Sequence, residues 1–506
     1  MKNFILSICY LIPFVTVAQS TWNNIPFSPY VYTEVTDAII QNDTIILYGT
    51  VLNNAIDLQQ GIHITKMDSS GNLIKSIFLI DSLGDKLAVS EDSGKIISTS
   101  DGGYAATAAT VQRESAFLIK LNHELEVEFI KEYPDTINLS NFDYQIKEVK
   151  GGYFLYGSIQ LPNYKLAGFV RYVDYAGNTY WNKIHSFASF GTMVTDLDQF
   201  TDSTFVFVTI EILAQPNVSQ LQKLRSGIYR MDFDGNITAT WRSEEAPAIG
   251  YLSKVIAMED QSVITFGLAR KSFDVTFLWE KVQPTLTRMD ITNNVVWQKN
   301  IGRVISSNGV NGFQDFITSE DGNIIGCGKL SVKNGNESSR GHGWIYKFSE
   351  DGDSIWSRNF ATPFPDYYPN GGFLYGLGAL SSGNIMAGGT AEDGQNRYCW
   401  IVKLTQDGCM DTLFCQTSSL QDIPMTKELV KIYPNPATDH LYIEGSGQEV
   451  SIFDLLGKKV LEQKMDATAT KISLPRLPSG TYHVVVRTAQ QQMVAMRIFI
   501  GGWDKD

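Results

Sequence analysis

An all-β chain is predicted, with about seven blades of a β-propeller followed by a small antiparallel β-sandwich, and three observations predict it. A short apolar strand carrying one basic residue recurs seven times, 51 to 59 residues apart. Residues that favour tight turns follow the copies at a matching place. From Lys431 onward the period is lost, and a new alternation begins behind a polar stretch. A unit that recurs at a fixed period cannot bury its apolar face alone, so it stacks on its neighbours. The composition fits packed β-structure, with 43% hydrophobic, 12% aromatic and only 19% charged residues.

The chain opens with Lys2, an apolar run from Phe4 to Val17, and small residues at Thr16 and Ala18, a pattern that predicts a secretory signal peptide over 1–18 cut ahead of Gln19. Pro13 interrupts the run, which falls short of the ~20 residues a spanning helix requires. No later segment has a long uncharged apolar run, so no transmembrane segment is expected.

The body, 19–416, carries the repeat. Its basic strands centre on Lys66, Lys120, Arg171, Arg230, Arg288, Lys347 and Lys403, a mean spacing of about 56 residues that suits one four-stranded blade with its loops. Turn residues such as Ser70-Gly71-Asn72, Asp234-Gly235-Asn236 and Asp351-Gly352-Asp353 come next, followed by a strand with a large residue at Trp181, Trp241, Trp297 or Trp356. Such a tryptophan is expected to pack between blades. Upstream lies a second hairpin signal, as in Asp101-Gly102-Gly103 and Ser382-Gly383-Asn384. Small residues after it, Ala105-Ala106-Thr107-Ala108 and Ala387-Gly388-Gly389, suit inner strands crowded around an axis. The second copy has Leu125 and Glu126 where Gly and Asn are usual, which leaves six or eight blades, or two smaller propellers, open as counts. Long inter-strand segments, Ala214–Ser226 and Lys271–Pro284, are expected to project as loops at one end of the ring.

Residues 417–430 are polar and aperiodic and form a linker. Beyond it Tyr433, Pro434, Asn435, Pro436 and Leu441 stand in one run, Gly457 and Lys458 in a second, and Gly480 and Tyr482 in a third. The two prolines stiffen the entry and cannot donate to a ladder, and the alternation of Leu441, Ile443, Val450, Ile452, Val484 and Val486 marks strands of a small sandwich. These ordered motifs resemble the C-terminal sorting domain (type A) of the type IX secretion system, over 431–506. The body likewise resembles the propeller-like repeats of large secreted proteins carrying that module. The resemblance implies passage through the inner membrane, then delivery by the type IX machinery of a Gram-negative cell, with a sortase removing the module. The product would be anchored on the outer cell surface or released. The tail Gly501–Asp506 after the last strand departs from the usual end and bears on export efficiency.

Four cysteines follow the signal peptide, an even number that suits an oxidising compartment. Cys409 and Cys415 are close enough to close a short disulfide loop, while Cys327 and Cys399 read as buried thiols. The formal charge is −13, with −15 on residues 19–430 against +1 at each end, which argues against nucleic acid and anionic membrane surfaces as partners.

The search for chemistry returns no site. His63, His123, His185, His342, His440 and His483 are scattered without metal spacing. No metalloprotease helix, nucleophile elbow or phosphate loop is present. Asp232–Gly235 and Glu350–Asp353 look like fragments of calcium loops but lack the remaining ligands, so turn chemistry explains them better. No catalytic residue, metal or cofactor is therefore assigned. The expectation is a non-enzymatic surface or secreted propeller that binds a protein or glycan ligand. The alternative is a polysaccharide hydrolase or lyase with a carboxylate site in the propeller channel, because such pairs are defined in space rather than in sequence.

Overall fold

The computed structural model describes residues 22–24, 32–53, 59–80, 87–89, 94–110, 115–133, 141–161, 165–214, 223–243, 251–274, 279–301, 305–306, 312–332, 340–362, 371–392, 396–410, 430–435, 437–445, 447–454, 459–465, 469–488 and 493–501. The signal-peptide reading, Cys415, Pro436, Gly457 and Lys458 lie outside them. The chain divides into two compact units, Met1–Ser419 and Leu420–Asp506.

The first unit consists of antiparallel meanders whose seven innermost strands are Tyr32–Gln41, Ile96–Ser98, Asn141–Val149, Gly191–Thr201, Tyr251–Ala257, Gly312–Thr318 and Gly372–Ala379. Three further strands follow outward in each of the first six blades, as in Thr44–Asn53, Gln59–Asp68 and Leu73–Leu79 of the first. The seventh blade takes its outermost strand from the start of the chain: Trp22–Asn24 pairs antiparallel with Arg397–Leu404. The ring is thereby closed by hydrogen bonds between its two ends.

Period-2 alternation explains the cores, because successive side chains of a central strand face opposite neighbouring blades. Ile46 and Tyr48 pack toward the second blade with Tyr104 and Ile119, while Ile45 and Leu47 pack toward the seventh with Met386 and Ile401. Seven apolar clusters result, one in each gap between adjacent blades. That establishes a closed seven-bladed ring.

One turn recurs after every basic strand. Asp68 accepts the Gly71 amide and donates its own to Asn72 O, and the same pair of bonds recurs at Asn122, Asp174, Asp232, Asp290, Ser349 and Thr405. The fourth residue is left-handed: Gly71, Gly177, Gly235, Gly352 and Gly408, with Asn293 and Leu125 in the other two. Leu125 (φ 59) thus holds the glycine conformation and buries its side chain in the core between the first two blades, so the irregular second copy is a full blade. The Asp232 carboxylate accepts the Asn236 amide, which gives that stretch its turn role.

The glycine also explains the tryptophan. A Cβ at Gly235, Gly352 or Gly408 would stand 2.7 to 2.9 Å from the ring of Trp181, Trp297 or Trp356 of the preceding blade. The recurring basic residue adds a polar tie. Lys66 Nζ donates to His123 O (2.8 Å), an Arg230 guanidinium nitrogen to Gln261 O (2.7 Å) and Lys403 Nζ to Ser69 O (2.7 Å), each across a blade gap.

Two expectations are corrected. The small residues at 105–108 and 387–389 lie on the second strand of their blades, where they let neighbours approach: a Cβ at Gly388 would stand 2.5 Å from Leu47. Of the segments expected to project as loops, the described residues, 214 and 223–226 in one and 271–274 and 279–284 in the other, are ladder, and the rest lie outside the described residues. Val263–Asp274 and Trp279–Met289 stay paired out to Asp274↔Trp279, and Thr204–Ala214 pairs with Lys223–Asp232 out to Ala214↔Lys223. Their β-branched and aromatic content favours an extended hairpin over an open loop.

The second unit is a sandwich. Val430–Tyr433, His440–Gly445 and Ala469–Ser473 form one sheet. Gly447–Phe453, Lys459–Lys464, Gly480–Thr488 and Met493–Ile500 form the other. Its core gathers Leu441, Ile443, Val450, Ile452, Val484, Val486 and Ile500.

Candidate functional site

The inner strands carry β-bulges at Val35/Asp37, Val194/Asp196, Leu252/Lys254, Phe313/Asp315 and Leu374/Gly376. The register across to each second strand aligns seven equivalent positions: Asp37, Lys95, Gln145, Asp196, Lys254, Asp315 and Gly376. The first six line an axial cavity of about 480 Å³. At the seventh, a Cβ would stand 2.0 Å from Ala38 O, so only glycine lets that strand reach its neighbour.

Most of these polar groups clamp adjacent blades. Asp37 is buried and accepts the Ile96 amide (2.9 Å) and the Lys95 ammonium (3.0 Å). Asp196 accepts the Val255 amide (3.0 Å) and the Tyr156 hydroxyl (3.2 Å), and that hydroxyl also reaches Gln145 Oε1 (3.3 Å). Asp315 accepts the Leu377 amide (3.3 Å). One layer further along the channel, Asp198 pairs with Lys147 and accepts the Ala257 amide (2.7 Å), opposite an apolar arc of Ile39, Ile97, Ile256 and Ile317.

The titration behaviour follows from burial and charge. Burial above all pushes the Asp315 carboxyl up to about 6; the Lys95 ammonium pulls against it, Asp37 reinforces it, and Lys254 opposes it. Burial penalises the Lys95 charge most, but the carboxylates of Asp37 and then Asp315 together outweigh that and hold the ammonium above its usual range. Burial, with Asp196 alongside, keeps the Tyr156 phenol protonated well past its ordinary value. Behind Asp315 the Cys327 thiol is raised well above its usual range, again by burial first. The channel therefore offers a proton donor and acceptor working near neutrality, a fixed ion pair, a protonated phenol and a further ammonium at Lys254.

The residues singled out from sequence lie elsewhere. Leu441 is in the sandwich core, Gly480 opens the strand that carries Tyr482, and the Tyr482 hydroxyl donates to Pro478 O (2.8 Å). Tyr433 is exposed, stacks on Tyr442 and donates to Glu444; the peptide to Pro434 is cis. Asn435 Oδ1 accepts the Phe499 amide (2.8 Å), which ties the start of the module to its last strand. Cys409 is disulfide-bonded, and its expected partner Cys415 lies outside the described residues. The buried thiols Cys327 and Cys399 are free. Of the histidines, His63 is buried against Ser76 Oγ (2.7 Å), His185 stacks on Phe187 and His440 bonds Asp439 (2.5 Å). Among the described residues no three His, Cys, Asp or Glu side chains form a metal-holding group.

A closed seven-bladed β-ring with a charged axial channel, followed in sequence by a separate β-sandwich, defines a propeller protein with a C-terminal β-module. Residues 431–500 match the family described as secretion system C-terminal sorting domain, so the sandwich is a type IX sorting domain. It engages the secretion machinery and directs the chain across the outer membrane to the cell surface or the medium. No helix among the described residues is long and apolar enough to cross a membrane. No curated protein matches the chain. The solved structures similar to it include an α-L-arabinofuranosidase from Fusarium graminearum (10% identity, TM-score 0.42, covering 78% of this chain and 100% of that one). Another is an α-L-arabinanase from Penicillium chrysogenum (10%, 0.42, 76% and 97%). A third is a polysaccharide lyase (9%, 0.40, 76% and 92%).

The expectation of a non-enzymatic scaffold is corrected here. The finding that corrects it is that the solved structures similar to this chain include, by name, an arabinofuranosidase, an arabinanase and a polysaccharide lyase. At 9–10% identity and TM-scores of 0.40 to 0.42 these likenesses bring no chemistry to this chain; that has to come from the channel itself.

Proposed function

We propose that the protein is an exported polysaccharide-processing enzyme, a hydrolase or lyase, whose proton-transferring group is Asp315 in the propeller channel. The observation that carries this is a carboxyl pushed up to about 6, facing a cavity of about 480 Å³ next to a fixed Asp37–Lys95 pair. Cleavage of a glycosidic bond by either route needs a group that gives a proton to the departing oxygen, and such a group works best when its pKa lies near the operating pH. Tyr156, held between Gln145 and Asp196, acts as a positioning residue for the sugar ring.

Around this centre the proposed course of the chain is removal of a signal peptide over 1–18, folding of a propeller over 19–416, and presentation of the 431–506 module behind a 417–430 linker. The motif residues Tyr433 to Pro436, Leu441, Gly457, Lys458, Gly480 and Tyr482 would be read by the secretion apparatus, and a sortase would then remove the module. A Cys409–Cys415 disulfide would close the end of the ring.

The test is product formation by the mature protein on a panel of plant and algal polysaccharides, followed both by new reducing ends and by absorbance of unsaturated products. Asp315→Asn should lower turnover by about two orders of magnitude or more while the unfolding midpoint at pH 6 stays within a few degrees. Equal turnover by Asp315→Asn and wild type would remove the assignment.

A further inference from the structure

The channel charges differ in how they are held. Every carboxylate lining the cavity already has donors: Asp37 has Lys95 and the Ile96 amide, Asp196 the Val255 amide and Tyr156, Asp198 Lys147 and the Ala257 amide, Asp315 the Leu377 amide. Glu148, at the same mouth, accepts both the amide and the hydroxyl of Ser100 (2.8 and 2.6 Å). Lys95 and Lys147 are likewise spent on Asp37 and Asp198.

Lys254 is the exception. It stands at one of the seven equivalent channel positions, on the strand between those of Asp196 and Asp315, and is half-buried. Among the described residues no hydrogen bond or ion pair holds its ammonium. A partly desolvated ammonium gains most from a charged acceptor, and although Asp315 feels the Lys254 charge, no described acid of the channel is within ion-pair distance of it. Charges on the outer surface beyond a Debye length, about 8 Å at physiological salt, are largely screened, so the groups that decide are those lining the cavity.

We infer that the channel takes an anionic polysaccharide and that Lys254 binds the negative substituent of the sugar ring, a uronate carboxylate or a sulfate ester. The inference rests on the polysaccharide reading above and narrows it to charged polymers. An anion seated on Lys254 would also remove part of the positive field that opposes protonation of Asp315, so binding would favour the acid form of that carboxyl.

The experiment uses the mature full chain and isothermal titration with four probes: oligogalacturonate, oligoglucuronate, a sulfated galactan oligomer and neutral arabino-oligosaccharide. At least one charged probe should bind, the neutral one at least about tenfold more weakly, and Lys254→Met should remove about tenfold or more of the charged-probe affinity, as expected for a lost charge-assisted bond. Lys254→Arg, which keeps the charge, should stay within about threefold. Binding by wild type should also weaken when salt rises from about 50 to about 500 mM, a readout independent of how either variant folds. A carboxylate-only or sulfate-only response identifies the source of the anion. Equal binding of neutral and charged probes, unchanged in Lys254→Met, overturns the anion inference and leaves a neutral-polysaccharide enzyme standing. Binding and turnover of no saccharide at all overturns the enzyme reading, and this inference with it.

Discussion

Gly408 lies against the indole of Trp356, so close that a Cβ on it would stand 2.8 Å from the ring. The glycine is also left-handed (φ 74), so one residue meets two separate demands, a turn and a blade contact. Gly408→Ala should therefore cost about 2–5 kcal/mol, combining left-handed strain of roughly 1–2 with overpacking of roughly 1–3. Gly322→Ala is the control, because φ is 77 there but nothing lies within 4 Å of the added carbon; only about 1–2 kcal/mol should be lost. Urea unfolding of both variants measures the difference, and equal losses would show that the tryptophan contact is not tight.

Asp37 holds a half-buried lysine and a backbone amide of the next blade at once. Its replacement by alanine leaves both uncompensated, with an expected cost of about 3–5 kcal/mol. Asp202→Ala, which breaks an exposed pair with Lys150, should change stability by less than about 1 kcal/mol. Denaturant midpoints of the two variants give the comparison, and a mild Asp37→Ala would mean that water replaces the lost carboxylate.

The Asp315 carboxyl is raised from 3.8 to about 6 in the folded chain. Its stabilising contribution is thus complete below about 4 and is lost as pH rises through about 6. Asp315→Asn, which cannot ionise, should gain stability relative to wild type as pH goes from 4 to 7. Lys95→Met should move the Asp315 midpoint further up, because that ammonium is what holds it down. Carbon-13 titration of aspartate carboxyls reads both effects; a midpoint near 4 would contradict the burial argument.

Thiol chemistry should separate the cysteines. Burial pushes Cys399 up to about 12 and Cys327 well above its normal range, so both should resist iodoacetamide at pH 8 until the ring unfolds. Peptide mapping without reduction should recover Cys409 joined to Cys415. Labelling of Cys327 in the native protein would show that the channel wall opens.

The blades were legible in the sequence because their signals are local: a basic residue two or three places ahead of the turn, a left-handed turn residue and, in four copies, a tryptophan beyond it. Leu125 hid one turn, since its conformation is imposed by burial in the core and not by its own preference. The sequence of Lys271–Pro284 points to a loop although its described residues pair, because Pro284 and the charges at Lys271, Asp274, Glu280 and Lys281 mask the alternation. The channel was missed for a different reason. Its six polar positions differ in identity and sign, and the bulges decide which side chain turns inward. A signal was present all the same: a polar or charged residue seven to nine places ahead of every second strand except the last. The lack of a partner for Lys254 could be seen only once the other acids had been matched to amides from neighbouring blades.

Trp22 and Lys403, the pair that fastens the ring, come from opposite ends of the propeller sequence. A chain delivered from its beginning can stack blades as they emerge, yet it stays an open crescent until the seventh one arrives. The sorting domain lies still further along, so any molecule able to present its export label has already received every strand required to lock the circle. Order of synthesis thereby serves as a completeness check that needs no separate sensor.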